Sequence, residues 1–201
     1  MSTSYDAEMA RKTRVETQAE TRAQLVKTAR QLFFDDGYHP TSLEKVADAA
    51  GYSKGAVYSN FRNKDELCTA VLDEVRAERL GEVLDIVAKP DTPARIDAVR
   101  DWAQRVIGDP GWTTLEVEFA AHARPNEQLR SELARRLDGI LQILTAAMES
   151  ADTPDLKMPG RETATVLLAL GVGLGLLRSI NPDIPVSGLI DTLGLLSGQP
   201  L

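Results

Sequence analysis

Cysteine is almost absent: the 201 residues hold one, Cys68. No intrachain disulfide can form and no zinc cluster can be built on thiolates, which fits a reducing compartment. Cys68 stands among Leu67, Val71 and Leu72 and reads as a buried thiol rather than a reactive one. Histidine is nearly as scarce, with only His39 and His122. There is no HExxH pair, nucleophile elbow or phosphate loop. Glu116 and Glu118 are two apart, so on a helix they point to different sides and make no acid/base pair. These shortages leave no catalytic residue, no metal site and no cofactor to expect; the sequence does not read as an enzyme. Alternating strand patterns are missing too. The longest nearly apolar run, residues 164–177, is closed by Arg178 and falls short of the roughly 20 residues a membrane span needs. It is expected to be a buried helix of a soluble protein, with no membrane partner. The polar residues 1–21 lack the apolar stretch of a secretory signal, so a cytoplasmic location is expected.

The charge is −7 overall, yet unevenly spread. Residues 1–64 hold ten basic and eight acidic side chains; the remainder hold thirteen and twenty-two. Such a split suggests that one part tolerates a polyanion and the other does not.

What the chain does have is helical spacing throughout, punctuated by breakers. Leu25, Ala29, Leu32 and Phe33 share one face, so residues 21–36 read as a first helix ended by Gly37. Thr41 and Glu44 have capping-box spacing and open a second helix, stopped by Gly51. Ser53 caps a third, with Val57 and Phe61 facing inward. Asn63 caps a fourth over residues 64–87. Further helices are expected over 94–107, 113–123, 126–151, 161–180 and 186–196. The fold class is therefore all-α with about nine helices.

The informative stretch is residues 41–67. Two short helices share a buried face and are joined by Gly51-Tyr52-Ser53, which is helix-turn-helix spacing. Ala47, Ala49 and Ala50 are small enough for close packing, and Gly51 tolerates the positive φ of a tight corner. The second helix opens with Lys54, Gly55, Ala56, Tyr58 and Ser59, the small and polar types that suit base edges.

These residues resemble the TetR family of repressors. The match runs through Thr41-Ser42, Ala49-Ala50-Gly51, Ser53-Lys54-Gly55, Tyr58-Ser59-Asn60-Phe61 and Lys64-Asp65-Glu66-Leu67. The resemblance implies an N-terminal three-helix helix-turn-helix domain and a C-terminal helical ligand-binding and dimerisation domain. The expected boundaries are a flexible arm over 1–18, a DNA-binding domain over 19–79 with its motif at 42–61, and the ligand-binding and dimerisation domain over 80–201. It implies that Thr41, Ser42, Tyr58 and Lys64 reach phosphates. Lys54 is expected at a base edge or phosphate, and Gly55 and Ala56 at the groove floor, Ala56 against a thymine methyl. Ser59 and Asn60 are candidate base or phosphate contacts. Other readings stay open: Tyr58 as a core-edge aromatic, Asn60 as a helix-end cap, Lys54 as a solvated charge. Arg11, Lys12 and Arg14 form either a minor-groove arm or a disordered tail. Many relatives carry Arg or Lys in place of Glu44 and His in place of Asn60.

In the C-terminal part, Gly171-x-Gly173-x-Gly175 follows no strand and is no dinucleotide loop. Gly171 and Gly175 share one helical face and permit close helix approach. By resemblance, residues 163–179 and 186–196 form a homodimer interface, which would set two recognition helices about 34–36 Å apart on a palindromic operator. Trp102, Trp112, Leu115, Phe119 and His122 are the candidate lining of an effector pocket, with core packing as the alternative. The function implied is a ligand-responsive repressor that binds double-stranded DNA as a homodimer and is released by a small hydrophobic effector; the alternative is a helical protein-interaction adaptor with degenerate DNA binding.

Overall fold

Local punctuation places the helices. In the computed structural model, which describes residues 14–89, 91–150 and 158–196, every regular element is helical. The first helix, α1 (Arg14–Asp36), ends where Gly37 turns the chain at φ +87°. It starts within the stretch expected to be an arm; Arg11 and Lys12 lie outside the described residues. Then come α2 (Leu43–Ala50), α3 (Lys54–Asn60) and α4 (Lys64–Val87). The remaining helices are α5 (Thr92–Val106), α6 (Pro110–Ala123), α7 (Glu127–Ser150), α8 (Gly160–Ile180) and α9 (Ser187–Leu196). These make nine helices among the described residues, the expected number.

Several helix starts differ from the sequence reading: α1 begins at Arg14 rather than at residue 21, and α5 at Thr92 rather than at 94. α6, expected from residue 113, begins at Pro110, just after Asp109. The Asp109 side chain accepts the Trp112 N–H at 3.1 Å, and proline fits the first helical position because its missing N–H has no intrahelical partner there. At α2 the cap is Ser42, not Thr41: Ser42 Oγ accepts the Lys45 N–H at 3.1 Å. Thr41 is 1% exposed and donates its hydroxyl to the Gly37 carbonyl at 2.9 Å.

Two apolar clusters hold the fold. The first joins Leu25, Ala29 and Phe33 of α1 with Val46, Val57, Phe61, Leu67 and Val71 of α2 to α4. It also takes in Leu115 and Phe119 of α6 and Leu129 of α7, so the N-terminal unit and the C-terminal helices share one core. The expected domain boundary at 79/80 falls inside α4, the helix common to both. The second cluster joins Ala103 and Ile107 with Val186, Leu189 and Ile190.

α8 is not the buried helix that its composition suggests. Within it only Thr163, Ala164 and Gly175 are buried, while Leu170, Val172, Leu176, Leu177 and Ile180 are exposed. By length and composition it is apolar enough to cross a membrane. One side nevertheless packs into the fold. Gly175 lies against Thr113, and Arg178 donates to the Ile107 carbonyl at 2.7 Å and to the Ile184 carbonyl.

Candidate nucleic-acid interface

The corner between α2 and α3 is built by backbone geometry. Gly51 adopts φ +73° and ψ 26°, the left-handed region open to glycine at no steric cost. Its N–H bonds the Asp48 carbonyl at 3.3 Å, and the Tyr52 N–H bonds the Ala47 carbonyl at 3.0 Å. This pair of bonds satisfies the last carbonyls of α2 and turns the chain sharply. Ser53 then caps α3, accepting the Ala56 N–H at 3.2 Å. Ala47 is fully buried and Ala50 packs on the core, but Ala49 faces solvent, so two of the three alanines serve close packing.

This corner sends the opposite face of α3 outward. Val57 and Phe61 are buried, while Lys54, Gly55, Tyr58 and Ser59 are exposed. Tyr58 is 51% exposed, so it is no core-edge aromatic. Its hydroxyl donates to Glu44 Oε1 at 2.8 Å. That bond holds the Glu44 carboxyl below the usual carboxylate range and raises the Tyr58 hydroxyl above its own. Ser42 is exposed at the start of α2, and Ala56 is half-buried. Asn60 is half-buried and bonds the Ala56 carbonyl at 2.8 Å through its Nδ2. An open groove runs between Thr17, Gln18 and Thr21 of α1 and Ala56, Ser59 and Asn60 of α3.

Two of the expected phosphate ligands make contacts within the protein. The Thr41 hydroxyl closes the end of α1, as described. Lys64 is half-buried; its Nζ lies 4.1 Å from the Tyr38 ring centroid and donates to the Tyr38 carbonyl at 3.0 Å. These contacts tie the turn after α1 to the start of α4.

Arg22 escaped the sequence reading. Its Nη1 donates to the Asn60 carbonyl at 2.6 Å, and its guanidinium lies 4.1 Å from the Phe61 ring centroid. α3 has no basic residue in its last turn, so a cation from α1 serves its C-terminal end. One signal was available: Arg22 falls on the helical stripe of Leu25, Ala29 and Phe33, a charge on an apolar face.

The five expected effector-lining residues are distributed over different parts of the fold. Leu115 and Phe119 are fully buried in the first cluster, with Trp112 packed beside them. Trp102 packs on the second cluster and donates its indole N–H to Glu82 Oε2 at 2.8 Å. His122 lies 3.1 Å from Asp65 Oδ1, which also accepts the Tyr38 hydroxyl. Glu118, four residues before His122, accepts the Tyr38 N–H at 2.7 Å. Burial and the Asp65 bond push the Tyr38 hydroxyl well above its usual pKa. α6 thus grips the turn after α1 and the start of α4. Spacing along one helix showed that these side chains lie near each other, but not that they face the N-terminal unit.

Residues 25–71 match the family model described as "Bacterial regulatory proteins, tetR family". In this unit, about a quarter of its length, the chain is similar to the TetR family. It is 43% identical over 67 residues to the HTH-type transcriptional regulator TtgR of Pseudomonas putida, covering 33% of this chain and 31% of that one. The match therefore spans about a third of TtgR. The HTH-type transcriptional repressor Rv1474c of Mycobacterium tuberculosis is 27% identical over 161 residues, covering 68% of this chain and 86% of that one. The reduced form of Escherichia coli NemR superposes with a TM-score of 0.73 at 22% identity, covering 90% of this chain and 100% of that one. At that identity the likeness is one of fold. The all-helical architecture, a helix-turn-helix unit followed by C-terminal helices, is common to both.

Proposed function

We propose that this chain is a transcriptional regulator that binds a palindromic double-stranded DNA operator as a homodimer and represses until a small hydrophobic effector releases it. The observation that carries the reading is the α3 face of Lys54, Gly55, Tyr58 and Ser59, exposed beyond the Gly51 corner in a unit that matches the TetR family. Its contacts are Ser42 and Tyr58 to phosphate, and Lys54, Gly55, Ala56, Ser59 and Asn60 along the groove. The DNA-binding domain is residues 19–79, and the effector-binding and dimerisation domain is residues 80–201. The exposed apolar side of α8, together with Leu195 of α9 at 74% exposure, supports pairing with a second copy. The effector must favour one spacing of the two heads over the other, or nothing switches. α6 is the route into the head, because Glu118 and His122 hold Tyr38 and Asp65. The protein works in the cytoplasm, on DNA rather than on a chemical substrate.

The test is fluorescence anisotropy with duplexes drawn from the DNA flanking the gene. Salt-sensitive binding in the low-nanomolar to micromolar range is expected, with a clear preference for one sequence. Tyr58→Phe and Lys54→Ala should each weaken binding about tenfold, the scale of one lost phosphate or base bond. Binding without sequence preference refutes the reading.

A further inference from the structure

Glu44 is out of place on a surface meant for DNA. It lies in the first turn of α2, beside the Ser42 cap, and the Tyr58 hydroxyl ties it to the exposed face of α3. Among the described residues, no lysine, arginine or histidine pairs with it within ion-pair distance; Lys54 acts on it only through longer-range attraction. The carboxylate is therefore a negative charge held at the rim of the face that phosphates approach.

We propose that Glu44 is a specificity-determining residue of the DNA interface, selecting a base pair that offers an exocyclic amino group, with cytosine N4 as its partner. The inference rests on the DNA-binding reading above and deepens it. An ionised carboxylate can only accept hydrogen bonds, and the phosphates offer only acceptors. The major groove presents two donors, the amino groups of cytosine and adenine, and carboxylates pair with that of cytosine. Tyr58 has one hydroxyl hydrogen. When it moves to a phosphate it leaves Glu44, which keeps its own N–H, the Ser42 hydroxyl and the more distant Lys54 but loses its strongest partner unless a base amino group takes over. A duplex with the wrong base meets repulsion, and one with the right base replaces the lost bond. Discrimination thus comes from a penalty on non-cognate docking as much as from attraction to the cognate site.

The experiment selects duplexes from a random library with the wild-type protein, then measures wild type, Glu44→Gln and Glu44→Ala on the selected and a scrambled duplex at three salt concentrations. Both variants should bind the scrambled duplex several-fold tighter and the selected duplex no tighter. The ratio of the two affinities should fall about tenfold, the worth of one direct base contact. Repeating the selection with Glu44→Ala should lose a cytosine at one position of each half-site. Tyr58→Phe, by contrast, should weaken both duplexes alike. Equal tightening on both duplexes, or an unchanged selected sequence, overturns the proposal and leaves the DNA-binding reading standing. A wild type that selects no sequence overturns both.

Discussion

Arg76→Met tests the ion pair that ties α4, the helix leading out of the head, to α6. The Arg76 Nε and Nη2 donate to Glu116 Oε1 at 3.3 and 3.1 Å, and the guanidinium sits 5.9 Å from the Trp112 ring centroid. The two side chains are 25% and 21% exposed, so most of the pair is out of water. Burial pushes the Glu116 carboxyl above its usual range, and Arg76 pulls it part of the way back. Methionine fills much of the volume of the arginine stem but leaves the carboxylate without a partner. Breaking a fully buried pair costs about 3–5 kcal/mol; with a fifth of each side chain still wet, about 2–3 kcal/mol is expected at pH 7.5. The loss should depend on pH with a definite sign. A carboxyl whose folded-state pKa is raised favours the folded state below its ordinary pKa, and loses that advantage as pH rises through the folded value. Removing Arg76 raises the folded value further. The deficit of Arg76→Met should therefore shrink as pH falls from neutrality toward the ordinary carboxylate pKa of 4.5. Urea unfolding followed by circular dichroism at fixed protomer concentration, from pH 5 to 8, measures this. Arg76→Met/Glu116→Gln should recover to within about 1 kcal/mol of wild type, because the stranded charge is gone. A deficit that is flat across that range, with no rescue in the double variant, refutes the reasoning.

Three further outcomes are expected. Arg22→Ala removes a charge-assisted bond worth about 1.5–3 kcal/mol to the end of α3. Amide hydrogen exchange at Val57 to Phe61 should quicken, and unchanged protection there would show that α3 holds its place without Arg22. At Gly108, φ is +95° and an added Cβ would fall 2.5 Å from the Arg178 Cβ. Gly108→Ala should cost about 1–3 kcal/mol in strain alone, plus the displacement of α8. Calorimetry should show the transition lowered by at least about 2–4 °C; an unmoved transition argues against the constraint. Asp65→Ala strips both Tyr38 and His122 of their shared acceptor, and leaving a buried hydroxyl unpaired costs about 1–3 kcal/mol. Chemical denaturation checks it, and stability equal to wild type shows that Asp65 does not hold α6 to the head.

Reading residues in order was enough for whatever depends on neighbours a few positions away. Gly51 ends α2, Ser53 and Asn63 cap α3 and α4, and α4 runs from Lys64 to Val87 as its spacing suggests. These features follow from backbone φ, cap hydrogen bonds and helical period, all satisfied within about one turn of chain. The outward face of α3 was legible for the same reason, since burying Val57 and Phe61 leaves Tyr58 and Ser59 no other side. Thr41 and Ser42 show the limit of this. Either hydroxyl can cap α2, and the choice went to Ser42 only because packing drew Thr41 against the carbonyl of Gly37.

Long-range geometry settled the rest. Arg22 meets Asn60 across 38 positions, and Glu118 meets Tyr38 across 80. No local rule relates such residues; they meet because several helices bury one apolar cluster together. That packing placed Leu115 and Phe119 in the core, aimed His122 at Asp65, and set Lys64 over Tyr38. It also left much of α8 uncovered, because the described chain packs only one side of a helix that is apolar almost all round.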